Sequence, residues 1–389
     1  MEREEAKERL EVAVTWLCEM LATEDFHALR KMKTAITRNN VDIFEAYRTG
    51  PGARGAKSSS KPTGEGKAEL QLVRFWARFA VLANVLHKGS EDEVNINQRE
   101  LYYRVKTTGI FPSIQALADA ISKLCVLVGA PKHVLGVVTS PKGTVYGRLV
   151  IGGGGGSTTN CLRDGGYVIS GDPNVIKSFT FQCSATCILV IEKETVFRKL
   201  IELNLIDKVH CILITGRGYP DVATRCFLKH LSDSFGALPV YALVDCNPDG
   251  LQILAQYKVG SARARKFGDP FLVRRIAWLG IHLSEAYAAR LYTAPNFTQR
   301  DRGIMKRLLV DFGPSVAAPA PAPAPAPASS PVTMGGPSPP PAIMVSPEWV
   351  REMHVLSAAE HKVDIEKFRE DCDLADYVSL RILQDKCLH

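Results

Sequence analysis

A pair of adjacent tyrosines lies in the run Asn97-Gln98-Arg99-Glu100-Leu101-Tyr102-Tyr103-Arg104, which brings a nucleophile close to a cation. Asn97 is a favourable N-cap for a helix whose third residue is Glu100. On such a helix Arg99 and Tyr103 are one turn apart, so their side chains emerge on one face. A phenol beside a guanidinium that stays protonated can attack a phosphate, whereas a tyrosine pair on a helix more often serves packing.

Two acidic residues further along the chain each follow a strand-like apolar run. Glu192 comes directly after Cys187–Ile191, and Asp245 comes directly after Pro239–Val244. Because ligands bind parallel sheets at the carboxyl ends of the strands, we expect both side chains at that edge. Either residue alone is more often a helix N-cap or a solvated loop acid. The two together predict a magnesium site, because carboxylate oxygens are the ligands that Mg²⁺ prefers.

The composition is that of a folded protein with a mild preference for polyanions. The 389 residues suffice for two or three domains, and 46% of them are apolar and 23% charged. The net charge of +7 slightly favours DNA or RNA as a partner. The charged start Met1–Leu10 predicts an amphipathic helix rather than a signal peptide, and no apolar run approaches the ~18 residues that span a bilayer. We therefore expect no membrane partner.

The cysteines and a run of glycines offer no second chemical site. The ten cysteines lie mostly in apolar runs, as expected of reduced core thiols in an intracellular protein. Cys183 and Cys187 form a CxxxC pair with Cys161 upstream, but no histidine stands at ligand spacing, which disfavours zinc. The five glycines Gly152–Gly156 lack the Lys-Ser/Thr pair of a phosphate-binding loop, so we expect no ATP binding.

The predicted fold class is α/β plus a winged helix. One helical stripe, predicted to end at Gly89, consists of Leu72, Phe75, Trp76, Phe79, Leu82 and Leu86. The tyrosine helix, an amphipathic helix after Ser113 and a hairpin of residues 134–138 and 144–151 follow. Three helices and a hairpin are the order of a winged helix-turn-helix, while a small α+β domain without a nucleic-acid role is equally compatible.

Strand-like runs alternate with helical segments from residue 186 onward. The runs 187–191, 209–215 and 239–244 are almost continuously apolar, as expected for strands buried on both faces of a parallel sheet. This pattern predicts a doubly wound α/β domain. The alanine–proline repeat Ala318–Pro327 favours polyproline II and is interpreted as an inserted spacer, after which Ser346-Pro347-Glu348 predicts a helix start.

The predicted domain organisation has seven parts. They are an N-terminal helical segment (1–48), a flexible linker (49–67), a winged-helix domain carrying the tyrosine (68–151), a connecting region (152–185), a metal-binding α/β domain (186–312), a proline- and alanine-rich insert (313–347) and C-terminal helices (348–389).

Several motifs in order resemble one enzyme family. Glu192 after one strand and Asp245–Gly250 after a later one are similar to the TOPRIM pattern, a glutamate followed by Asp-x-Asp-Pro-x-Gly. With the tyrosine run ahead of them, the chain resembles the catalytic A-type component of type VI topoisomerase and its eukaryotic relatives, the transesterases that open meiotic recombination with double-strand breaks. The similarity covers roughly residues 68–310 and the last forty. Further similar segments are Ile191–Glu194, Gly218–Arg225, Tyr257–Ser261, Trp278–Gly280 and Lys362–Glu366.

The resemblance implies a role for each candidate site residue. Tyr103 is the nucleophile next to the packing residue Tyr102, and Arg99 stabilises the pentavalent phosphate. The implied ligands of Mg²⁺, the expected cofactor, are Glu192, Asp245 and Asn247. The basic residues predicted to bind DNA or to support the site are Arg104, Lys142, Arg217, Arg225 and Lys258.

The resemblance also implies the partners. Attack on double-stranded DNA leaves the protein on the 5′ end, and breaking both strands requires two tyrosines, hence a homodimer or a heterodimer with a paralogue. In the family, Tyr103 of one chain would meet Glu192 and Asp245 of the other. A B-type, GHKL ATPase-like topoisomerase VI protein is the implied partner, with residues 1–48 as its contact, and the implied location is the nucleus.

One departure from the family pattern keeps the function open. Asn247 stands where the motif has a second aspartate, so a second Mg²⁺ should bind more weakly. Asp249 could substitute, but an exposed loop acid is the favoured interpretation. The leading function is a meiotic, break-forming transesterase. The alternatives are a somatic A-type topoisomerase VI component that passes and reseals strands, and a non-catalytic paralogue that binds DNA and scaffolds a partner.

Overall fold

The computed structural model describes residues 3–22, 26–37, 66–91, 95–153, 156–260, 269–288, 296–312, 345–366 and 374–388. These residues form two compact units. The first contains the described parts of Met1–Lys142 together with Ile169–Lys177, and the second contains those of Gly143–Val168, Ser178–Ser261 and Phe271–His389. The predicted linker (49–67) and the proline-rich insert (313–347) lie almost wholly outside the described residues.

The first unit is built from helices around an aromatic core. Its elements are α1 (Arg3–Ala22), α2 (Phe26–Thr37), α3 (Gly66–Glu91), α4 (Gln98–Lys106), α5 (Ile114–Val128), α6 (Pro173–Lys177) and two short parallel strands, β1 (Ile96–Asn97) and β2 (Val137–Val138). Trp16 of α1 and Trp76 of α3 meet edge to face with ring centroids 5.8 Å apart. The Trp76 indole N–H donates to the Leu29 carbonyl of α2 at 3.2 Å, which satisfies the polar end of a buried ring.

The predicted apolar stripe of α3 is confirmed, but its predicted end is wrong. Phe75 is partly buried, and the fully buried members are Leu72, Trp76, Phe79, Leu82 and Leu86. The helix continues through Gly89 to Glu91. A glycine inside a helix costs only about 1 kcal/mol relative to alanine, so it ends a helix only where the local conformation requires it.

The hairpin predicted from residues 134–138 and 144–151 is wrong. β2 pairs with β1 in the first unit, whereas residues 144–151 divide into β3 (Thr144–Gly147) and β4 (Leu149–Gly152) of the second unit. β3 pairs antiparallel with β9 (Cys211–Thr215) instead. Alternation of side chains marks an extended segment without naming its partner, because the pairing depends on residues far away in the sequence. The winged-helix assignment stays a prediction.

The second unit is built on a six-stranded sheet, which confirms the predicted α/β pattern. Besides β3 and β9 its strands are β6 (Tyr167–Val168), β8 (Cys187–Ile191), β10 (Val240–Leu243) and β11 (Ala277–Gly280), in the spatial order β11, β10, β8, β9, β3, β6. The first four strands in that order run parallel and are buried throughout, as strands covered on both faces must be. A separate antiparallel sheet joins β4 with β5 (Thr158–Asn160) and β7 (Thr180–Cys183).

Helices and a short extended segment complete the second unit. The helices are α7 (Glu194–Glu202), α8 (Leu205–Lys208), α9 (Val222–Ser234), α10 (Pro248–Lys258), α11 (Leu283–Ala288), α12 (Gln299–Phe312), α13 (Pro347–Ala359) and α14 (Leu374–Leu383). α13 begins as predicted, because the Ser346 hydroxyl accepts from the Trp349 N–H at 3.3 Å. Between α13 and α14 the chain is not helical where Val363 forms an antiparallel bridge with Cys246. Within the described residues no helix is both long and apolar enough to cross a membrane.

Candidate active site

The tyrosine helix presents Tyr103 to solvent. Asn97 caps α4 as predicted, its side-chain oxygen accepting from the Arg99 N–H at 2.9 Å. Leu101 and Val105 are buried and anchor the opposite face of the helix, while Tyr103 is 66% exposed. Tyr102 is partly buried against the core of the first unit. A large aromatic side chain this exposed contributes little to packing, so the structure separates the two tyrosines into a packing residue and an accessible phenol.

Two arginines on α4 have different surroundings. Arg99 is exposed and lies one turn before Tyr103 on the same face of the helix. Arg104 forms an ion pair with Glu100, with 2.6 Å between Nη2 and Oε1. Both side chains of that pair are more than half exposed, so the pair contributes little to stability.

The two predicted carboxylates lie side by side in the second unit. β8 and β10 are parallel neighbours with Ile191 opposite Leu243, so the residues that follow leave the sheet at the same level. The Glu192 N–H donates to the Leu243 carbonyl at 3.1 Å, and the Asp245 N–H donates to Glu192 Oε2 at 2.8 Å. Glu192 is 8% exposed and Asp245 is 2% exposed. The sheet therefore buries two acidic side chains next to one another.

Burial and mutual repulsion dominate the electrostatics of this pair. Burial raises the pKa of the Glu192 carboxyl above its ordinary range, and the charge of Asp245 raises it further. Burial also raises the pKa of Asp245, although hydrogen bonds from Lys193 and the Ile365 N–H oppose the rise. Two carboxylates in one desolvated place are the arrangement that a cation stabilises.

Asn247 and Asp249 serve the helix that follows the second carboxylate. Asn247 caps α10, its amide oxygen accepting from the Gly250 N–H at 2.8 Å, while its amide nitrogen lies 3.5 Å from Asp245 Oδ2. A Cβ on Gly250 would lie 2.3 Å from the Asp245 carbonyl oxygen, so only glycine fits this turn. The amide of Asn247 thus turns a donor toward Asp245, where an aspartate would turn a second oxygen.

The interpretation of Asp249 as an exposed loop acid is wrong. Asp249 lies in the first turn of α10 and is half-buried. Its carboxylate accepts from both terminal nitrogens of Arg300, at 3.0 and 2.8 Å, and from the Tyr219 hydroxyl at 2.5 Å. Both oxygens are therefore engaged by α12 and by the loop before α9, which sequence spacing does not reveal.

The remaining basic candidates divide into surface and interior positions. Arg217 is exposed after β9 and lies 3.2 Å from Glu194 Oε2, and Lys142 is half-buried at the end of the first unit. Arg225 is buried in α9. Lys258 is buried in α10 and donates to the carbonyls of Arg274 and Ile276 at 2.8 and 2.9 Å. Of the two roles predicted for these residues, support is the one that an interior position allows.

Lys193 is a site residue to which the sequence pattern assigned no role. Its ammonium lies 2.8 Å from Asp245 Oδ2 and 2.5 Å from Glu366 Oε2. Glu366 follows the bridge between Cys246 and Val363, which brings the C-terminal segment alongside the second carboxylate. Among the described residues no three His, Cys, Asp or Glu side chains converge to hold a metal on their own. A metal at Glu192 and Asp245 would thus complete its shell with water or ligand oxygens.

A parallel sheet with a glutamate and an aspartate at the ends of adjacent strands defines a Toprim domain, and a family model for the Toprim domain of the TOP6A/Spo11 proteins matches residues 187–312. The meiotic recombination protein SPO11-2 of Oryza sativa subsp. japonica is 30% identical over 287 residues, which are 72% of this chain and 71% of that protein. SPO11-1 of Arabidopsis thaliana is 32% identical over 260 residues, covering 66% and 70%. The A3 subunit of DNA topoisomerase 6 from Oryza sativa subsp. indica is 34% identical over 219 residues, covering 56% and 48%. The chain belongs to the TOP6A/Spo11 family.

Proposed function

We propose that this protein is a DNA transesterase that makes double-strand breaks through a 5′-phosphotyrosyl link and thereby initiates meiotic recombination. The observation that carries the proposal is the exposure of Tyr103 beside Arg99, on a capped helix, in a chain that also buries the carboxylate pair Glu192 and Asp245. The names of the relatives with the broadest coverage, which are meiotic recombination proteins, support the meiotic role.

The chemistry proposed for α4 is an exchange of esters. The Tyr103 oxygen forms a bond to phosphorus and loses its proton, while the bond from phosphorus to the 3′ oxygen breaks and that oxygen takes up a proton. One phosphodiester is replaced by another, so the step consumes no water and requires no ATP. The Arg99 guanidinium neutralises the charge on the non-bridging oxygens, because it stays protonated throughout.

Glu192 and Asp245 are the residues that would hold Mg²⁺, with Asn247 at the edge of the site. The donors fit, because two desolvated carboxylates with raised pKa values are stabilised by a hard cation. Bound there, Mg²⁺ supplies positive charge that stabilises the transition state of phosphate transfer. The capping role of Asn247 leaves its oxygen shared with the Gly250 N–H, which supports weaker binding at a second position.

The proposed working unit is a dimer on double-stranded DNA, as a homodimer or with a paralogue. Two tyrosines are needed for two strands, and each site would combine Tyr103 of one chain with Glu192 and Asp245 of the other. A B-type, GHKL ATPase-like protein is the proposed further partner, with residues 1–48 as its contact, and the proposed location is the nucleus. Mixing Y103F chains with E192Q chains tests the shared site, because only a site built from two chains regains cleavage of one strand.

The direct test of the function is a covalent adduct assay. The chain, with its B-type partner, is incubated with duplex DNA and Mg²⁺, denatured and probed for DNA attached to protein. We expect an adduct for the wild type and for Y102F, which removes the neighbouring hydroxyl, and none for Y103F. An adduct of equal yield in Y103F, or none in the wild type, would sink the proposal. N247D should raise the yield at low Mg²⁺ concentration.

A somatic topoisomerase component is the second candidate, favoured by the similarity to the A-type components of DNA topoisomerase 6. It predicts ATP-dependent relaxation of supercoiled DNA with the B-type partner, and accumulation of broken DNA without resealing speaks against it.

A non-catalytic scaffold is the third candidate, motivated by the amide of Asn247 beside Asp245. It predicts that Tyr103→Phe leaves meiotic recombination intact, and loss of recombination in that variant excludes it.

A further inference from the structure

Lys193 places a positive charge inside the carboxylate site of the second unit. Its ammonium contacts Asp245 Oδ2 at 2.8 Å and Glu366 Oε2 at 2.5 Å, and it lies 3.7 Å from Asp364 Oδ1. The Lys193 side chain is 28% exposed and that of Asp245 only 3%, so solvent screens this pair weakly. The ammonium thus lies on the oxygen of Asp245 that faces Asn247.

The C-terminal segment fixes the other partner of Lys193. The Ile365 N–H donates to Asp245 Oδ1 at 3.0 Å, which places Glu366 next to the site. The two oxygens of Glu366 are held separately, Oε1 by the Thr195 hydroxyl at 3.2 Å and Oε2 by Lys193. Glu366 is therefore a preorganised acceptor that holds the ammonium from the side opposite Asp245.

We infer that Lys193 is a built-in counter-cation that competes with the metal ion for Asp245, and that Glu366 receives its ammonium when a metal binds. Before metal binding, Lys193 compensates the buried charge of Asp245 and holds that side chain in place. When a divalent ion binds Asp245, the ammonium keeps its contact with Glu366 and needs no new partner. Lys193 is thus a positioning residue that lowers metal affinity. The inference rests on the proposed function, because it takes Glu192 and Asp245 as metal ligands.

The test is the affinity of the full chain for Mn²⁺, measured without DNA by the loss of the free-ion electron paramagnetic resonance signal. K193M should bind Mn²⁺ at least tenfold more tightly than the wild type, because a positive charge next to the ligand is gone. K193R, which keeps the charge, should stay within threefold. E366Q should bind about tenfold more weakly, because Lys193 then has Asp245 as its remaining close partner. K199M is the matched control, since Lys199 lies on the adjacent α7 and pairs with Glu202.

Each outcome decides a different point. Unchanged or weaker binding in K193M, or tighter binding in K193R or K199M, overturns the role of Lys193 while leaving the metal site intact. No binding by any chain overturns the metal site and this inference together. Normal Mn²⁺ affinities without a DNA adduct overturn the proposed function alone. If K193M does not fold, K193Q, which keeps a hydrogen-bond donor toward Glu366, is expected to show the same tightening.

Discussion

Replacing Glu192 with glutamine should make the metal-free protein more stable at alkaline pH. Burial, together with the charge of Asp245, raises the pKa of Glu192 from 4.5 to about 7. The folded chain therefore binds this proton more tightly than the unfolded chain. The stability that Glu192 contributes is fully present below about pH 4.5 and is lost as the pH rises through about 7.

The magnitude follows from the size of that rise. Keeping Glu192 ionised in the folded chain costs up to about 3 kcal/mol at pH 8, and E192Q removes this cost. The glutamine oxygen can still accept the Asp245 N–H, so the hydrogen bond at 2.8 Å is retained. At pH 5 the advantage of E192Q should shrink below about 1 kcal/mol, because Glu192 is then protonated in the folded wild type.

Urea denaturation in EDTA at both pH values measures this difference. Trp278 and Trp349 lie in the second unit, so tryptophan fluorescence reports on the part of the chain that carries Glu192. Added Mg²⁺ should stabilise the wild type at pH 8 and have no effect on E192Q. If E192Q is no more stable than the wild type at pH 8, the reasoning about a strained carboxylate pair is refuted.

Three further changes test the surroundings of the site. Gly250→Ala should lower the free energy of unfolding by more than about 2 kcal/mol and abolish Mn²⁺ binding, because the new Cβ would clash with the Asp245 carbonyl. The control Gly303→Ala, with open space around its Cβ in α12, should raise stability by about 0.5–1 kcal/mol. Lys258→Met should cost about 1–3 kcal/mol in urea denaturation by leaving two buried carbonyls unpaired, without changing DNA affinity in a binding titration. Equal stability of G250A and wild type, or weaker DNA binding by K258M, would contradict these assignments.

The sequence predicted the parts of this protein that local rules determine. Asn97 and Ser346 cap helices because their side chains reach backbone N–H groups three or fewer residues away. Glu192 and Asp245 lie together because continuously apolar runs indicate parallel strands, and parallel strands present their carboxyl ends at one edge. These two inferences were enough to locate the carboxylate pair.

The parts that the sequence did not predict depend on distant contacts. β3 joins the large sheet beside β9 rather than forming a hairpin, because strand pairing depends on a partner that alternation does not identify. Lys193 and Glu366 are 173 residues apart, and no periodicity connects them. The engagement of Asp249 by Arg300 likewise depends on how α12 packs near α10. Each of these contacts surrounds the metal-binding residues rather than the nucleophile.

Mass spectrometry of the protein–DNA adduct would show directly whether Tyr103 is the nucleophile. After cleavage with Mg²⁺ and exhaustive nuclease digestion, we predict a 5′-nucleotide attached to the phenol oxygen of Tyr103, and an unmodified Tyr102 in the same peptide. A nucleotide on Tyr102 or on any other residue, or broken DNA with no covalently attached protein, would contradict the proposed transesterification.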